Sequence, residues 1–564
     1  MTIRAIIAGL ILVAAPGCQS QPRETAADLV LRGGRIVTVD DKVPEAQALA
    51  ASGGKIVAVT TDADIARYIG PSTQVIDLGG KLAIPGFIEG HGHFTGIGQN
   101  RINLDLITTT SWDEIVRMVA DAAAKAKPGE WIIGRGWHQS KWTAPPQPNV
   151  EGFPLHASLD KVSPNNPVAL THASGHAAFV NQKVMELSGI GRDTKNPVGG
   201  EILKDREGNP TGLLRETAQG LVKRPPTTEE DIRRQLALAD EEVIHKGITT
   251  VHDAGSSFAT IDLVKKMVDE GKFHVRLWMM IREPNPSLQE NIGRHRMVGY
   301  GNNQLTVRAI KVTADGALGS RGAWLLEPYS DKPDSNGLRP MTVDTLPETA
   351  QIAIDHEIQL CVHAIGDRAN REVLTIFENA FRKNNKDGKA LRWRIEHAQH
   401  LSGADIPRFG QLGVIASMQP IHATSDAVFV PARLGDKRTE EGAYVWQKLM
   451  KSGAVVTSGT DAPVENVDPI PNYYAAVTRK MADGRAFYPD QRMSRMEALR
   501  SYTILNAFTA FEEDIKGSFT PGKLADITVL SKDITTVPEE EIKSAKVVYT
   551  IIGGKIAYGP VTPN

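Results

Sequence analysis

Eight short, apolar, strand-like runs recur between residues 83 and 459, and this recurrence constrains the fold more than any other feature. The runs lie at 83–90, 248–252, 274–281, 306–313, 359–364, 392–397, 414–419 and 454–459. Amphipathic stretches with helical periodicity lie between many of them, at 231–246, 259–271, 346–357 and 436–452. Because strands that alternate with helices build parallel sheets covered by those helices, the pattern predicts an α/β fold, a (β/α)8 TIM-like barrel.

Two β-rich segments flank the predicted barrel. Strand-like runs bounded by glycine or aspartate occur within 28–82 and again within 518–564. Together they predict one small β-sandwich domain built from both termini, which leaves 83–517 for the barrel. The long stretch between the first two strands, about 95–230, carries its own Trp-, Gly- and Pro-rich motifs. We therefore expect a large insertion after barrel strand 1.

Residues 1–18 have the pattern of an export signal rather than of a folded segment. Arg4 precedes an apolar stretch at 5–15 that is too short to span a bilayer comfortably. The Pro-Gly-Cys18 that follows resembles a bacterial lipoprotein signal. This resemblance implies cleavage before Cys18, a lipid on its sulfur, a tether at 19–27 and a position on the periplasmic face of the outer membrane. Secretion without a lipid and an uncleaved anchor are the alternatives.

The charge balance of the chain indicates which classes of partner it can bind. The net charge is −2 and 23% of the residues are charged, whereas nucleic-acid-binding proteins usually carry a clustered basic excess. We therefore expect a small-molecule substrate, no nucleic acid, and contact with a membrane only through the N-terminal lipid. A lipid on Cys18 would leave Cys361 without a partner, so no intrachain disulfide is expected. Whether the chain forms a homodimer is left open.

The run at 83–90 leads into His91 and His93, which lie on the same side of an extended chain because they are two residues apart. Imidazole is a common ligand for divalent zinc, iron or manganese. In a barrel the chemistry lies at the carboxyl ends of the strands, where the sequence places these further candidates: His252, Asp253, Lys311, His363, His397 and Asp461. Each could alone be a core histidine, a turn aspartate or a lysine reaching water. Together they predict a metal site, because buried ionisable groups are costly unless paired or metal-bound.

Six motifs carry a resemblance to a known family: 85–93, 311 with 315–321, 363–369, 394–399, 458–463 and 521–526. With them the chain resembles the amidohydrolase superfamily and, within it, the YtcJ-like group that includes N-substituted formamide deformylase. The resemblance implies these metal ligands: His91, His93, His363, His397 and Asp461. It also implies that Lys311, as N6-carboxylysine, bridges two metals. We expect one or two zinc ions, with iron or manganese as alternatives.

The resemblance implies hydrolysis. A divalent metal lowers the pKa of a bound water from about 15.7 to about 7, and the hydroxide attacks a carbonyl. Asp461 is the candidate that carries the water proton to the leaving nitrogen, while His397 or His363 orients the carbonyl. The leading hypothesis is hydrolysis of a C–N bond in an amide, N-formyl or cyclic amide substrate. An ester, lactone or carbamate substrate, or a metal-binding lipoprotein without turnover, are the alternatives.

Six further side chains are candidates for substrate contact: Trp137, His138, His172, His176, His252 and Arg321. The first four belong to the predicted insertion and His252 to a strand end. Arg321 follows barrel strand 4 and could bind a substrate carboxylate. Packing of the insertion on the barrel, or a salt bridge for Arg321, is the structural alternative for each of them.

Overall fold

The structure is a computed structural model that describes residues 25–560. The predicted export signal, Cys18 with its lipid, and the tether up to residue 24 lie outside the described residues. Within 25–560, no helix combines the length and the apolar character needed to cross a membrane.

Eight parallel strands form the centre of the molecule, and each neighbours the next in chain order. Barrel strands 1 to 8 are Phe87–Gly92, Ile248–Ser256, Arg276–Ile281, Leu305–Thr313, Gln359–Ala364, Arg394–His397, Ile415–Met418 and Val456–Ser458. Each overlaps one of the eight sequence runs. The strands are mostly buried on both faces, as expected for a sheet covered by helices. This nearly closed barrel confirms the predicted α/β architecture.

Helices surround the strands and bury their apolar faces against them. The helices of the barrel and its loops are Phe94–Asn100, Glu229–His245, Phe258–Asp269, Asn285–His295, Thr342–Asp355, Asp367–Lys383, Gly388–Leu391, Ile406–Leu412, Pro420–Ser425, Val430–Leu434, Asp436–Gly442, Trp446–Lys451, Pro469–Thr478, Arg495–Ser501 and Ile504–Thr509. The predicted helix at 436–452 is two helices, because Tyr444 between them has φ +54° and a left-handed residue ends a right-handed helix. The Tyr444 hydroxyl donates to Asp426 at 2.6 Å.

Barrel strands 1 and 8 meet at a seam that side chains and loops close. Asn506 Nδ2 donates to the carbonyls of Ile88 and Ser458, both at 2.8 Å. Beyond the strand ends, the amide of Asp461 donates to the carbonyl of His91 at 2.7 Å. The seam therefore fixes the ends of strands 1 and 8 side by side.

The seam gives a first testable expectation. Asn506→Leu leaves two buried carbonyls without a donor, so we expect the free energy of unfolding to fall by about 2–4 kcal/mol. Urea unfolding followed by tryptophan fluorescence measures this change. Asn379→Leu, on an exposed helix position, is the control and should leave the midpoint nearly unchanged. Equal midpoints for the two variants would show that the seam does not depend on Asn506.

Strands from both ends of the described chain form two further sheets. One contains Leu29–Arg32, Ala48–Ser52, Lys55–Thr60 and Gln74–Asp77, and the other contains Arg35–Val37, Glu45–Ala46, Leu82–Pro85, Ile527–Leu530, Val547–Ile552 and Lys555–Tyr558. Apolar residues of both sheets share one core. The predicted strand at 83–90 divides at Gly86, where a Cβ would lie 2.3 Å from the side chain of Thr249. The chain therefore passes from this sheet into the barrel at a glycine.

A six-stranded sheet lies between barrel strands 1 and 2. Its strands are Leu104–Asp105, Ile132–Trp137, Val168–His172, Ala177–Val180, Gly200–Lys204 and Pro210–Glu216. The helices Trp112–Ala123, Ala157–Val162 and Gln182–Ser188 accompany it. Aromatic residues fill its separate core, among them Trp112, Trp137 and Phe179. The loops that follow Val168–His172 and Pro210–Glu216 line the cavity at the open end of the barrel, together with Arg135.

Candidate metal centre

Barrel strands 1 and 8 bring two histidines and one aspartate together at the seam. His91 and His93 point to the same side of strand 1 because they are two residues apart. His91 Nε2 lies 3.5 Å and His93 Nε2 lies 3.2 Å from Asp461 Oδ1. Asp461 has φ +58°, a left-handed backbone that few residues other than glycine adopt. The turn after strand 8 therefore aims this carboxylate at the strand 1 histidines.

Strands 5 and 6 add His363 and His397. The His397 ring centre lies 4.8 Å from that of His91 and 4.5 Å from that of His363. His397 Nδ1 is 2.8 Å from Gln419 Oε1; because an amide oxygen only accepts, Nδ1 carries the hydrogen and Nε2 keeps its lone pair. One ligand atom from each of His91, His397 and Asp461 lies within 4.8 Å of the others.

The chemistry of this group fits a divalent cation. Asp461 Oδ1 and His363 Nε2 are buried and form no well-aligned hydrogen bond in the described chain, although His93 and Asp315 lie 3.2 and 3.5 Å from them. Buried polar atoms are normally paired. Burial lowers the pKa of His91 to about 4 and that of His397 well below its usual value, which keeps both in the neutral form that binds metals. Burial opposes ionisation of Asp461, but the neighbouring His93 and His91 hold its pKa well below the usual range.

Lys311 extends from barrel strand 4 into the same group. Its Nζ lies 3.4 Å from His91 Nε2. Burial lowers the pKa of Lys311 to about 8; the Glu396 carboxylate opposes this shift and the positive charge of Arg282 adds to it. A substantial fraction of the amine is therefore unprotonated near pH 8, which is the form that carboxylation requires.

Arg394 and Glu396 support His91 from strand 6, and neither was assigned a role from the sequence. His91 Nδ1 donates to Glu396 Oε2, so His91 Nε2 is left with its lone pair directed at Asp461 and Lys311. The Arg394 Nε and Glu396 Oε1 atoms form an ion pair at 2.7 Å, with both side chains fully buried. A sequence signal existed, because two charged residues at i and i+2 of a buried strand must be paired or bound.

Glu216 is a second residue that the sequence interpretation missed. It ends a strand of the insertion with φ +50°, and His176 Nδ1 lies 2.8 Å from its carboxylate. Burial lowers the pKa of His176, but Glu216 outweighs this effect and the pKa is raised overall. The His176 ring centre lies 5.0 Å from that of His363. No local pattern marks Glu216, because only the packing of the insertion on the barrel brings it to the site.

Two cavities adjoin the histidine group. The larger has a volume of about 490 Å³ and opens over the barrel end, and the smaller has a volume of about 50 Å³. His363, His397 and Asp461 line both of them. Three of the candidate ligands are therefore accessible from both a large compartment and a small one.

The six residues predicted to contact substrate occupy different places. His176 lines both cavities, and His138 lines the smaller one, where it stacks on Phe429. The other four do not line either cavity. Trp137 is buried in the insertion core, and His172 contacts Gln139. His252 packs between Arg394 and Trp278, and Arg321 pairs with Asp331. Asp253 accepts from the amide of Phe94 at 2.9 Å and from Ser256. Substrate contact by Trp137, His172, His252 and Arg321 stays a prediction without a cavity to support it.

Comparisons with known proteins cover nearly the whole chain. The model of the Amidohydrolase family matches residues 74–558. The Bacillus subtilis (strain 168) protein YtcJ, an amidohydrolase by name, is 31% identical over 502 residues, which are 87% of this chain and 92% of YtcJ. N-substituted formamide deformylase of Arthrobacter pascens is 27% identical over 544 residues, which are 94% of this chain and 98% of that protein.

A solved structure gives a similar result for the fold. The crystal structure of an uncharacterized metal-dependent hydrolase from Pyrococcus horikoshii OT3 superposes with a TM-score of 0.71 and 26% sequence identity. The alignment covers 91% of this chain and 99% of the other.

Proposed function

The chain belongs to the amidohydrolase family, as its motifs predict, and on this premise we propose that it hydrolyses a C–N bond in an amide, N-formyl or cyclic amide substrate. The observation that carries the proposal is the meeting of His91, His397 and Asp461, from the ends of strands 1, 6 and 8, next to the two cavities. The C–N bond is supported by the similarity, over 94% of the chain, to a protein named for deformylating substituted formamides.

In this proposal a divalent metal, zinc in the first instance, is held by the histidine and carboxylate group. The residues that would hold one or two ions are His91, His93, His363, His397 and Asp461, with Lys311 as a carboxylated bridge. When bound, such a metal acidifies water and polarises a carbonyl.

The chain's own residues then move one proton. The ionised Asp461 carboxylate accepts a proton from the attacking water as the new C–O bond forms. It returns this proton to the leaving nitrogen as the C–N bond breaks, which releases a carboxylic acid and an amine. Glu396 holds His91 in the required tautomer, and Gln419 does the same for His397. The His176–Glu216 pair faces the substrate compartment.

The size of the smaller cavity supports a small acyl group. Its volume of about 50 Å³ is roughly a tenth of that of the larger cavity. A formyl group fits such a compartment, and the rest of the substrate then occupies the larger cavity.

A turnover panel tests the proposed reaction. The purified full chain is stripped with a chelator, reloaded with zinc, and given matched pairs such as N-benzylformamide with benzyl formate and N-benzylbenzamide. We expect hydrolysis of the formamide that depends on added metal, and little hydrolysis of the benzamide. Turnover of the ester alone would favour the esterase alternative, and no turnover across amides, esters, lactones and carbamates would favour a binding protein.

Lys311 gives a separate expectation. If it is carboxylated, protein reloaded with metal in 13C-bicarbonate should show a carbamate carbon in its 13C spectrum, and bound zinc should approach two ions per chain. Lys311→Met should lose the carbamate signal and reduce the zinc content. Lys516→Met, a buried lysine paired with Glu512 away from the site, is the control. A wild-type spectrum without the signal would exclude the carboxylated bridge under these conditions.

We also propose that the protein is exported. We infer from residues 1–18 that the protein is lipid-anchored at the periplasmic face of the outer membrane. The mass of the mature N-terminus after expression in a Gram-negative host tests this, since an unmodified Cys18 would contradict it.

A further inference from the structure

Two arginines line the larger cavity without an acidic partner. Arg135, on an insertion strand, donates from Nε to the Pro463 carbonyl at 3.3 Å and from Nη2 to the Ala173 carbonyl at 3.1 Å. Arg282, which follows barrel strand 3, donates from Nη2 to Thr313 Oγ1 at 3.3 Å. Within residues 25–560, no carboxylate forms an ion pair with either guanidinium. All their hydrogen-bond acceptors are neutral, so neither positive charge in the cavity wall has an ion-pair partner in this part of the chain.

The carboxylates of the same cavity are already engaged. Glu216 is paired with His176, and Asp315 accepts from three backbone amides at 2.7–2.9 Å. Asp461 belongs to the candidate metal group. None of them contacts Arg282, and Asp461 acts on Arg135 only from beyond ion-pair distance.

Among residues 25–560, most buried arginines outside the cavity have an acidic partner, although the buried Arg479 bonds only to backbone carbonyls. Arg276 is paired with Asp526 at 2.8 Å and Arg394 with Glu396 at 2.7 Å. Arg321, the residue that the sequence suggested for binding a carboxylate, pairs with Asp331 at 3.1 Å. Arg282 is exposed to the open cavity and Arg135 is half-buried, and the planar set of donors of a guanidinium matches a carboxylate in two-point contact.

Arg282 is better placed than Arg135 to bind a ligand. Two of the Arg135 nitrogens are already engaged, one with the loop after strand 8 and the other with a carbonyl of the insertion. Arg282 makes one contact with a hydroxyl, and its side chain is accessible from the cavity. It also lies beside the metal group, since a Cβ on Gly255 would be 3.1 Å from Arg282 Cβ and 3.2 Å from Lys311 Cβ.

We propose that the larger cavity takes substrates that carry a carboxylate. Arg282 binds this carboxylate, and Arg135 contributes a second positive charge to the cavity wall. The inference rests on the proposed function and narrows its substrate class to anionic amides, such as N-formyl or other N-acyl amino acids. A cavity of about 490 Å³ is within the usual range for small-molecule sites, about 300–1,000 Å³.

Arg282→Met tests the proposal with two substrates that differ only in charge, N-formyl-phenylalanine and its carboxamide. We expect wild-type protein to prefer the acid. The variant should raise KM for the acid by about 10- to 100-fold, the effect of losing a charge-assisted contact, and leave KM for the carboxamide within about twofold. Arg282→Lys should restore part of the difference. Arg339→Met is the control, because Arg339 is next to the cavity rim but is paired with Asp344.

A binding measurement separates this inference from the proposed function. Isothermal titration of the zinc-loaded full chain with N-methylsulfonyl-phenylalanine and its carboxamide, which lack a hydrolysable acyl group, reports affinity without turnover. A loss of about 10- to 100-fold in affinity for the acid alone in Arg282→Met supports the anion site, even if no amide is hydrolysed. If both substrates are hydrolysed with equal KM and Arg282→Met has no effect, the anion site is overturned while the proposed hydrolase activity still holds. Equal losses on both substrates would assign Arg282 to the metal centre and also overturn it.

Discussion

Asp461→Asn is expected to reduce kcat by about 10²- to 10⁴-fold, the usual contribution of a positioned acid–base group, and to leave the fold intact. Asparagine keeps the size of the side chain and one oxygen near His91 and His93, but it cannot accept the proton of the attacking water. The neighbouring His93 and His91 hold the pKa of Asp461 well below the usual range, so the wild-type side chain is ionised, which is the only form that can accept a proton. Steady-state kinetics on a formamide, with circular dichroism as the fold check, measures the effect.

Because Asp461 is also a candidate ligand, loss of metal must be separated from loss of proton transfer. Two substrates that differ in the basicity of their leaving group separate these effects. N-formyl-p-nitroaniline releases a stabilised nitrogen that needs little protonation, whereas N-benzylformamide releases a basic one. A proton-transfer defect should therefore affect N-benzylformamide much more strongly, while simple loss of zinc should reduce both rates together. Asp483→Asn, at an exposed position, is the matched control, and near-normal kcat in Asp461→Asn would contradict the proposed role.

Glu396→Gln is expected to lower the free energy of unfolding by about 3–5 kcal/mol, the typical cost of removing one partner from a buried ion pair. The substitution is nearly isosteric, but it leaves the fully buried Arg394 without its negative partner. It also replaces the acceptor that orients His91. Changes to such supporting groups typically weaken metal binding by about 10- to 100-fold, so zinc affinity should fall along with stability.

Two further variants identify the cause of that loss. Asp526→Asn breaks the Arg276–Asp526 ion pair at the start of strand 3, so it should destabilise the fold and leave zinc affinity unchanged. The double variant Arg394→Met/Glu396→Leu removes both charges and should recover part of the stability, since apolar replacement of a buried pair is often neutral, but not the zinc affinity. If Glu396→Gln keeps wild-type stability and zinc affinity, the supporting role of Glu396 is wrong.

Much of the barrel could be predicted because its signals are local. A buried parallel strand reads as a short apolar run, and each of the eight runs overlaps an observed strand. The boundaries that differ depend on distant contacts. The predicted strand at 83–90 divides where Gly86 packs against Thr249, and the predicted helix at 436–452 divides at Tyr444, whose hydroxyl reaches Asp426.

The histidine, lysine and aspartate candidates share one property that a sequence can reveal. Each lies at or near the carboxyl end of a strand, and a parallel barrel gathers all such ends on one face. Side chains two residues apart on a strand must also share a side. The order of strand ends in the chain was therefore enough to predict the meeting of His91, His397 and Asp461, which the structure places within 4.8 Å of one another.

Tertiary structure decided what surrounds that group. Glu216 comes close to His176 only because the insertion packs over the barrel. Arg282 lines the cavity without an ion-pair partner among the described residues, whereas Arg321 forms an ion pair with Asp331. Such pairings join residues far apart in the chain, and they depend on strand register and loop paths that no local pattern encodes. The sequence by itself therefore determined the barrel and the candidate ligands, because periodicity and strand ends are local. The shape and charge of the substrate compartment came only from the packing of separate segments.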